Sequence, residues 1–199
     1  MTLYMRDMMS MILYVFPVYC AGRVLVIRRR LFADKKSYEM SLKTGAREIA
    51  LALFVLFMAG LLMLTFQNGQ EWMRVRSLAG AAERIRHRIG VNLTPFHTIR
   101  NYMKYAPSVD WLRVNIVGNI VMFIPWGFGL PLLWKEYRSF IKLIFMSLFL
   151  PLCIEFCQLF VGRTVDFDDV ILNFAGAMLG GILFLVLRVL FPKVGRLAK

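Results

Sequence analysis

Charged residues are scarce in this chain of 199 residues, since they make up 19% of it. A soluble domain usually carries about 25%. Cysteine and histidine are rarer still, with three and two copies respectively. So few cysteines exclude a disulfide-rich secreted scaffold. The two histidines, His87 and His97, lie apart among basic and hydroxyl residues, and neither is expected to bind a metal.

Hydrophobic residues are abundant, at 59% of the chain, and they form long blocks with almost no charge. A helix needs about 20 apolar residues to cross a bilayer, and blocks of this length are too long for barrel strands. The sequence therefore predicts an all-α, polytopic membrane helix bundle and excludes a disordered chain or an ordinary cytosolic enzyme. About five transmembrane helices are expected, in the blocks Met8 to Ile27, Ile49 to Phe66, Val114 to Trp134, Leu143 to Val161 and Val170 to Phe191.

The first block is predicted to remain as a membrane helix. No small-x-small cleavage site follows it, as a signal peptide would require. Bulky Tyr19 precedes Cys20, where a lipoprotein has a small residue. The predicted organisation is a first helix with a basic connection (1–48), a transmembrane domain (49–191) and a short basic tail (192–199).

The positions of lysine and arginine predict the orientation of the chain. They are densest between the first two blocks, between the third and fourth blocks, and in the tail. Cytoplasmic connections carry the excess of positive charge. We therefore expect a multi-pass protein of the cell membrane with its N-terminus outside and its C-terminus in the cytoplasm.

The net charge of +13 suits contact with anionic membrane lipids. Nucleic-acid binding would need a folded basic module with stacking aromatic residues or a reading helix. The sequence contains no such module, so no nucleic-acid partner is expected. An arginine-rich stretch from Glu71 to Ile89 is predicted to lie as a helix in the membrane interface.

Polar residues inside membrane helices are costly and usually have a specific role. Several of them fall near the predicted outer ends of three helices and in the connection before the last one. We expect these side chains to converge in one outward-facing cluster. Its predicted members are Asn119, Glu155, Gln158, Arg163, Asp166, Asp169 and Asn173.

Alternative roles for the acids of this cluster remain open. Glu155 could form a structural ion pair with Arg163 or perform a function. Asp168 or Asp169 is placed to cap the last helix. Three carboxylates could also hold Ca²⁺ or Mg²⁺, but their spacing matches no known ligand set, and we predict neither a metal nor a cofactor.

Proline and glycine positions predict how the helices pack. Small residues let two membrane helices approach closely, as in the spacing of Gly176 and Gly180. The third block is expected to be a kinked, closely packed helix. The predicted packing residues are Pro125, Gly127, Pro131, Gly176 and Gly180.

With these residues described, the chain resembles the VanZ family of bacterial membrane proteins over residues 49–191. Residues 1–48 and 71–89 carry no motif of that family, and Asp168 is an acid beyond its pattern. The matching motifs, in chain order, are Asn92-Leu-Thr-Pro95-Phe96, Gly118-Asn119-Ile-Val-Met-Phe123-Ile-Pro125-Trp-Gly127, Leu130-Pro131, Glu155-Phe-Cys-Gln158, Arg163-Thr-Val-Asp166, Asp169 and Asn173-Phe-Ala-Gly176, ending near Gly180.

The resemblance implies a cell-envelope protein connected with resistance to teicoplanin, a lipid-tailed glycopeptide that acts on peptidoglycan precursors. It adds a motif loop of Asn92, Pro95 and Phe96 to the candidate site and carries no catalytic residue with it. The expected partners are membrane lipids and a lipid-linked cell-wall precursor or a membrane protein.

Two alternatives to this function remain. A membrane enzyme acting on a lipid headgroup would use Glu155 or Asp166 as general base and Arg163 to hold an anion. The sequence has no Ser/His/Asp arrangement and no phosphate-binding glycine loop, which argues against an enzyme. A small transporter would use the buried Glu155, although no internal repeat is visible.

Overall fold

The computed structural model describes residues 15, 17–26, 42–66, 70, 73–75 and 77–197. A short apolar helix, α1 (Pro17–Val26), lies within the first predicted span. The rest of that span falls outside the described residues, so a fifth crossing stays a prediction.

Among the described residues four helices are long and apolar enough to cross a membrane, and they confirm the predicted all-α membrane bundle. Their lipid-facing sides carry exposed apolar side chains such as Val121, Phe149 and Val186. The shorter elements between them are two helices of nine residues and two strands of two residues. In chain order the elements are α2 (Leu42–Phe66), α3 (Leu78–Arg86), β1 (Val91–Asn92), α4 (His97–Tyr105), α5 (Val109–Leu133), α6 (Phe140–Val161), β2 (Val165–Asp166) and α7 (Phe167–Leu190).

Two of the long helices, α5 and α7, begin earlier than the apolar blocks predict, because polar residues cap their first turns. Ser108 starts α5 by accepting a hydrogen bond from the Trp111 amide at 3.1 Å. Asp166 starts α7 by accepting one from the Asp168 amide at 2.9 Å. The prediction that Asp168 or Asp169 caps this helix is therefore wrong, since the cap lies two or three residues earlier.

The closest helix contact in the bundle is between α5 and α7. A Cβ on Gly127 would overlap the Ala177 carbonyl, and one on Gly176 would overlap the Ile120 carbonyl. Gly180 lies equally close to α5. These glycines let the two backbones touch, as expected for small residues at a membrane helix crossing. Of the two prolines in α5, Pro131 is buried and Pro125 is exposed, away from the packed face.

The core between α2, α5 and α6 is large and aromatic. Phe123, which is 0% exposed, lies in one cluster with Leu61, Trp126, Leu130 and Ile154. These residues join the three helices into one unit. Ala177 of α7 packs in the same cluster.

The long connection between α2 and α5 folds onto the connection between α6 and α7. β1 pairs in parallel with β2, with Val91 opposite Val165 and Asn92 opposite Asp166. We call this end of the bundle the motif end. The opposite end carries two 3₁₀ helices, Lys135–Arg138 and Val194–Leu197.

The predicted interface helix from Glu71 to Ile89 is only partly present. The helix α3 covers residues 78–86 and begins at the cap Ser77. Its residue Arg84 is 3% exposed and turns into the protein instead of lying among headgroups. At least one base of this stretch, Arg84, therefore points into the protein and not toward the membrane surface.

Candidate functional site at the motif end

Asp166 joins several elements at the motif end. Its Oδ1 atom accepts a hydrogen bond from Asn92 Nδ2 at 3.2 Å, and its Oδ2 atom accepts one from the Thr98 hydroxyl. Its amide donates to Glu155 Oε2 at 3.0 Å. Asp166 thus connects β1 and α4 to α6, and it holds the acid in α6 in position. The parallel pairing of β1 and β2 explains why Asn92 reaches it.

Asp168 fixes the start of α4. Its side chain is 0% exposed and accepts hydrogen bonds from the amides of Phe96 and Ile99. Phe96 has a φ of 59° and supplies no side-chain cap of its own. A carboxylate is stabilised at a helix N-terminus, where amide groups lack partners. Asp168 therefore caps a helix that lies about 70 residues earlier in the chain.

Asp169 faces the other way, toward α5. Its Oδ1 atom accepts a hydrogen bond from Asn119 Nδ2 at 3.0 Å. Arg163 lies close enough to interact electrostatically with Asp169 and with Glu155. Asn119, Glu155, Arg163, Asp166 and Asp169 therefore form one group, which we call the polar cluster.

Gln158 and Asn173 are as buried as Glu155, at 5% exposure each, but they lie differently. Gln158 Nε2 donates to the Thr65 carbonyl in α2 at 3.0 Å, so its side chain is turned away from the acids. Asn173 lies one turn after Asp169 on α7. Within the described residues no donor reaches Asn173 Oδ1. That atom is available to accept a hydrogen bond beneath the polar cluster.

The motif loop holds the segment between β1 and α4 in place. Asn92 Oδ1 accepts from the Thr94 amide at 3.1 Å, while its Nδ2 donates to Asp166. The Pro95 carbonyl lies 3.5 Å from Arg100 Nη2, and the Phe96 amide donates to Asp168. The loop therefore fastens α4 over the start of α7.

Arg84 is a residue that the sequence does not single out. Its guanidinium donates to the carbonyls of Leu159 and Arg163, the latter at 2.7 Å, and to the Ile89 carbonyl at 3.2 Å. Burial lowers the pKa of Arg84, yet an arginine stays charged at neutral pH. A cation at the C-terminus of α6 satisfies carbonyls that lack helical partners. Nothing in the sequence separates this arginine from its neighbours Arg86 and Arg88.

Tyr102 in α4 lies near the acids of the cluster. Burial is the main reason that its pKa is raised, and the charges of Asp169, Asp166 and Asp168 raise it further. Its ring meets Trp111 edge-on, with the centroids 4.7 Å apart. Burial and the neighbouring negative charges therefore both favour the neutral form of the phenol.

The acids at the motif end point toward different protein groups. Asp166 accepts from side chains, Asp168 from the amides of α4 and Asp169 from Asn119. Among the described residues no three Asp, Glu, His or Cys side chains are grouped to hold a metal ion. The arrangement can accept hydrogen bonds and bind cationic or amide groups, with Arg163 as a cation beside it.

Comparison with known proteins identifies the family of this fold. The family model described as VanZ/LLP1 matches residues 49–188. No curated protein and no solved structure matches the chain. The matched range contains the polar cluster, the motif loop and most or all of each of the four candidate spans found among the described residues. Because it covers more than half of the sequence, the chain belongs to the VanZ/LLP1 family.

Proposed function

We propose that this chain is a cell-envelope protein that lowers susceptibility to teicoplanin and related lipoglycopeptides through its polar cluster. The observation that carries the proposal is the hydrogen-bonded convergence of Asn119, Glu155, Asp166 and Asp169 at one end of the membrane bundle. These residues belong to three different helices and one connection. Their convergence at a membrane surface provides a site where a lipid-linked molecule could bind.

The chemistry of the cluster supports this function. Lipoglycopeptides and lipid-linked cell-wall precursors combine an apolar chain with amide, amine and phosphate groups. Carboxylates bind amines and amides, and the guanidinium of Arg163 suits phosphate. A site at the end of membrane helices meets the polar part of such a molecule while its chain stays in the bilayer.

Drug susceptibility in a Gram-positive host tests the proposal. Cells expressing the wild-type chain are expected to grow at higher teicoplanin concentrations and to remain sensitive to vancomycin, which lacks a lipid tail. Glu155→Gln and Asp169→Asn keep the side-chain size but remove the negative charge, so each should abolish protection. Asp110→Asn is the matched control, because Asp110 is 89% exposed and lies outside the polar cluster.

Immunoblots of membrane fractions must show equal amounts of each variant. Protection by Glu155→Gln and Asp169→Asn equal to wild type would show that the cluster is not the working site. No protection by wild-type protein that is present in the membrane would contradict the proposed function itself.

A membrane enzyme acting on a lipid headgroup is the second candidate. Arg163 favours it, because this cation is close enough to interact electrostatically with two carboxylates, Glu155 and Asp169. Such a group could hold a phosphate while Glu155 or Asp166 accepts a proton. Purified chain incubated with lipid-linked precursor, with and without Mg²⁺, tests this. Turnover that Glu155→Gln removes would favour an enzyme, and no turnover would exclude this candidate.

A further inference from the structure

A cavity of about 630 Å³ lies between α2, α5 and α6, away from the polar cluster. Ligand pockets usually measure about 300–1,000 Å³. Its wall on α5 runs from Trp126 to Trp134, a distance of about 12 Å along a helix. The cavity therefore extends from the membrane-spanning part of the bundle to the end that lies opposite the motif end.

The inner wall of the cavity is apolar and fixed by contacts. The ring of Phe54 stacks on Trp126 with centroids 5.8 Å apart and meets Trp134 edge-on at 5.7 Å. The indole N–H of Trp126 donates to the Met146 carbonyl at 3.1 Å. Because these rings hold one another in place, the cavity exists before any ligand enters it.

The mouth of the cavity carries one acid and one base. Glu136 lies on the 3₁₀ helix Lys135–Arg138 and Lys142 lies in the first turn of α6. Among the described residues neither forms an ion pair with the other or with a third group. The nearby Arg138, in contrast, already donates to the carbonyls of Pro131 and Gly195. Glu136 and Lys142 are therefore the charges that a ligand at the mouth would meet.

The surroundings of the cavity determine what can occupy it. The cavity lies beside α2, a candidate membrane span whose side chains are mostly not buried by the described part of the protein. We therefore expect the medium beside the cavity to be the lipid bilayer. Lipid chains are as apolar as the cavity wall, and burial of a chain there gives little selectivity. The headgroup must supply the selectivity, because a lysine attracts a phosphate and a carboxylate attracts an amine.

We propose that this cavity binds one aminophospholipid, a lipid whose headgroup carries both a phosphate and an amine. An acyl chain lies along Phe54, Trp126 and Leu130, the phosphate pairs with Lys142, and the amine pairs with Glu136. This site is separate from the polar cluster, and it does not depend on the proposed function.

Quenching of tryptophan fluorescence by lipids with brominated chains tests the proposal. The variant Trp72→Phe/Trp111→Phe leaves Trp126 and Trp134, both on the cavity wall, as its tryptophans. It is reconstituted in vesicles containing brominated phosphatidylethanolamine or brominated phosphatidylglycerol. The aminophospholipid should reach half-maximal quenching at a mole fraction about two- to fivefold lower than phosphatidylglycerol does. This is the factor that one exposed ion pair provides.

Charge-neutral variants identify the groups that give this preference. Glu136→Gln should reduce the ratio between the two lipids to about one, since each lipid then meets only Lys142. Lys142→Gln should weaken quenching by both lipids. Lys135→Gln is the matched control, because Lys135 is exposed on the same 3₁₀ helix but does not line the cavity.

Equal quenching by the two lipids would overturn the proposal, as would a preference that survives Glu136→Gln. Tryptophans protected from every brominated lipid would also overturn it, because another part of the chain would then fill the cavity. Native mass spectrometry of the wild-type chain from mixed-lipid nanodiscs gives a second reading without tryptophan substitutions. One retained aminophospholipid per chain is expected, and retention at the bulk lipid ratio would contradict it.

Discussion

The two ends of the bundle use polar side chains in different ways. At the motif end Asp166 and Asp168 bond to amides and side chains of the protein, and Arg84 bonds to its carbonyls. At the opposite end Glu136 and Lys142 have no ion-pair partner among the described residues, and aromatic rings shape the cavity beside them. The comparison indicates that internal hydrogen bonds hold the charged groups of the motif end, whereas two charges of the opposite end, Glu136 and Lys142, remain available to a ligand.

Separating α5 from α7 should have the largest effect, because both ends depend on this contact. Gly176→Ala places a Cβ against the Ile120 carbonyl, and we expect it to destabilise the protein by about 3 kcal/mol. Thermal unfolding in detergent measures this effect. Gly118→Ala is the matched control on α5, since a Cβ there meets nothing within 4 Å. Equal melting temperatures for the two variants would contradict the close helix contact.

Removing Arg84 should damage the motif end and leave the cavity intact. Arg84→Met keeps the chain length but leaves the Leu159 and Arg163 carbonyls without their donor. The expected loss of stability is about 2 kcal/mol, the usual cost of removing hydrogen bonds to a charged group. Thermal unfolding gives the loss, and the fluorescence of the cavity tryptophans should not change below the transition. Arg86→Met, at a side chain 77% exposed, should have little effect, and a similar loss in both variants would contradict the role of Arg84.

Asp168→Asn should loosen α4 without unfolding the bundle. The asparagine retains one acceptor oxygen, but its NH₂ group takes the place of the other. One of the two backbone amides of α4 therefore loses its hydrogen-bond acceptor. A cost of about 1.4 kcal/mol would raise the population of detached α4 about tenfold. Trypsin should then cut at Arg100 and Lys104 about ten times faster than in wild type. Asp110→Asn should not change the cleavage rate, and an unchanged rate in Asp168→Asn would contradict the capping role.

Alkaline pH should weaken the motif end slightly through Tyr102. The folded chain raises the pKa of this phenol, whereas the unfolded chain releases its proton near pH 10. This contribution to stability is therefore complete below about pH 10 and is lost as the pH rises through the folded pKa. Denaturant unfolding from pH 8 to 11 should show a shallower loss of stability in Tyr102→Phe than in wild type. Tyr105→Phe, at a ring 68% exposed, should retain the wild-type slope, and equal slopes in all three would contradict the prediction.

The sequence predicts the spans and much of the polar cluster for the same reason. Long apolar blocks must become helices in lipid. The position of polar residues such as Glu155 and Asp169 along the axis of those helices then follows from the rise per residue. The pairing of Asn119 with Asp169 comes from the structure alone, because the sequence does not show that α5 and α7 pack side by side.

The contacts of the long connection could not be predicted. Two-residue strands have no periodicity to detect, and the pairs of Asp168 with Phe96 and of Arg84 with Arg163 join residues more than 70 positions apart. The cavity was missed for another reason. Phe54, Trp126 and Trp134 are residue types that also occur on lipid-facing surfaces. Only their contacts with one another show that they enclose a space.

The proposed function requires that the motif end, with its polar cluster, faces the outside of the cell, as the positions of lysine and arginine predict. A variant without Cys20, Cys153 and Cys157 receives one new cysteine, either Arg100→Cys on the exposed face of α4 or Lys135→Cys at the opposite end. Intact cells are then treated with a membrane-impermeant maleimide. We expect Arg100→Cys to react in intact cells and Lys135→Cys to react only after the membrane is opened. Reaction of Lys135→Cys alone in intact cells would contradict it.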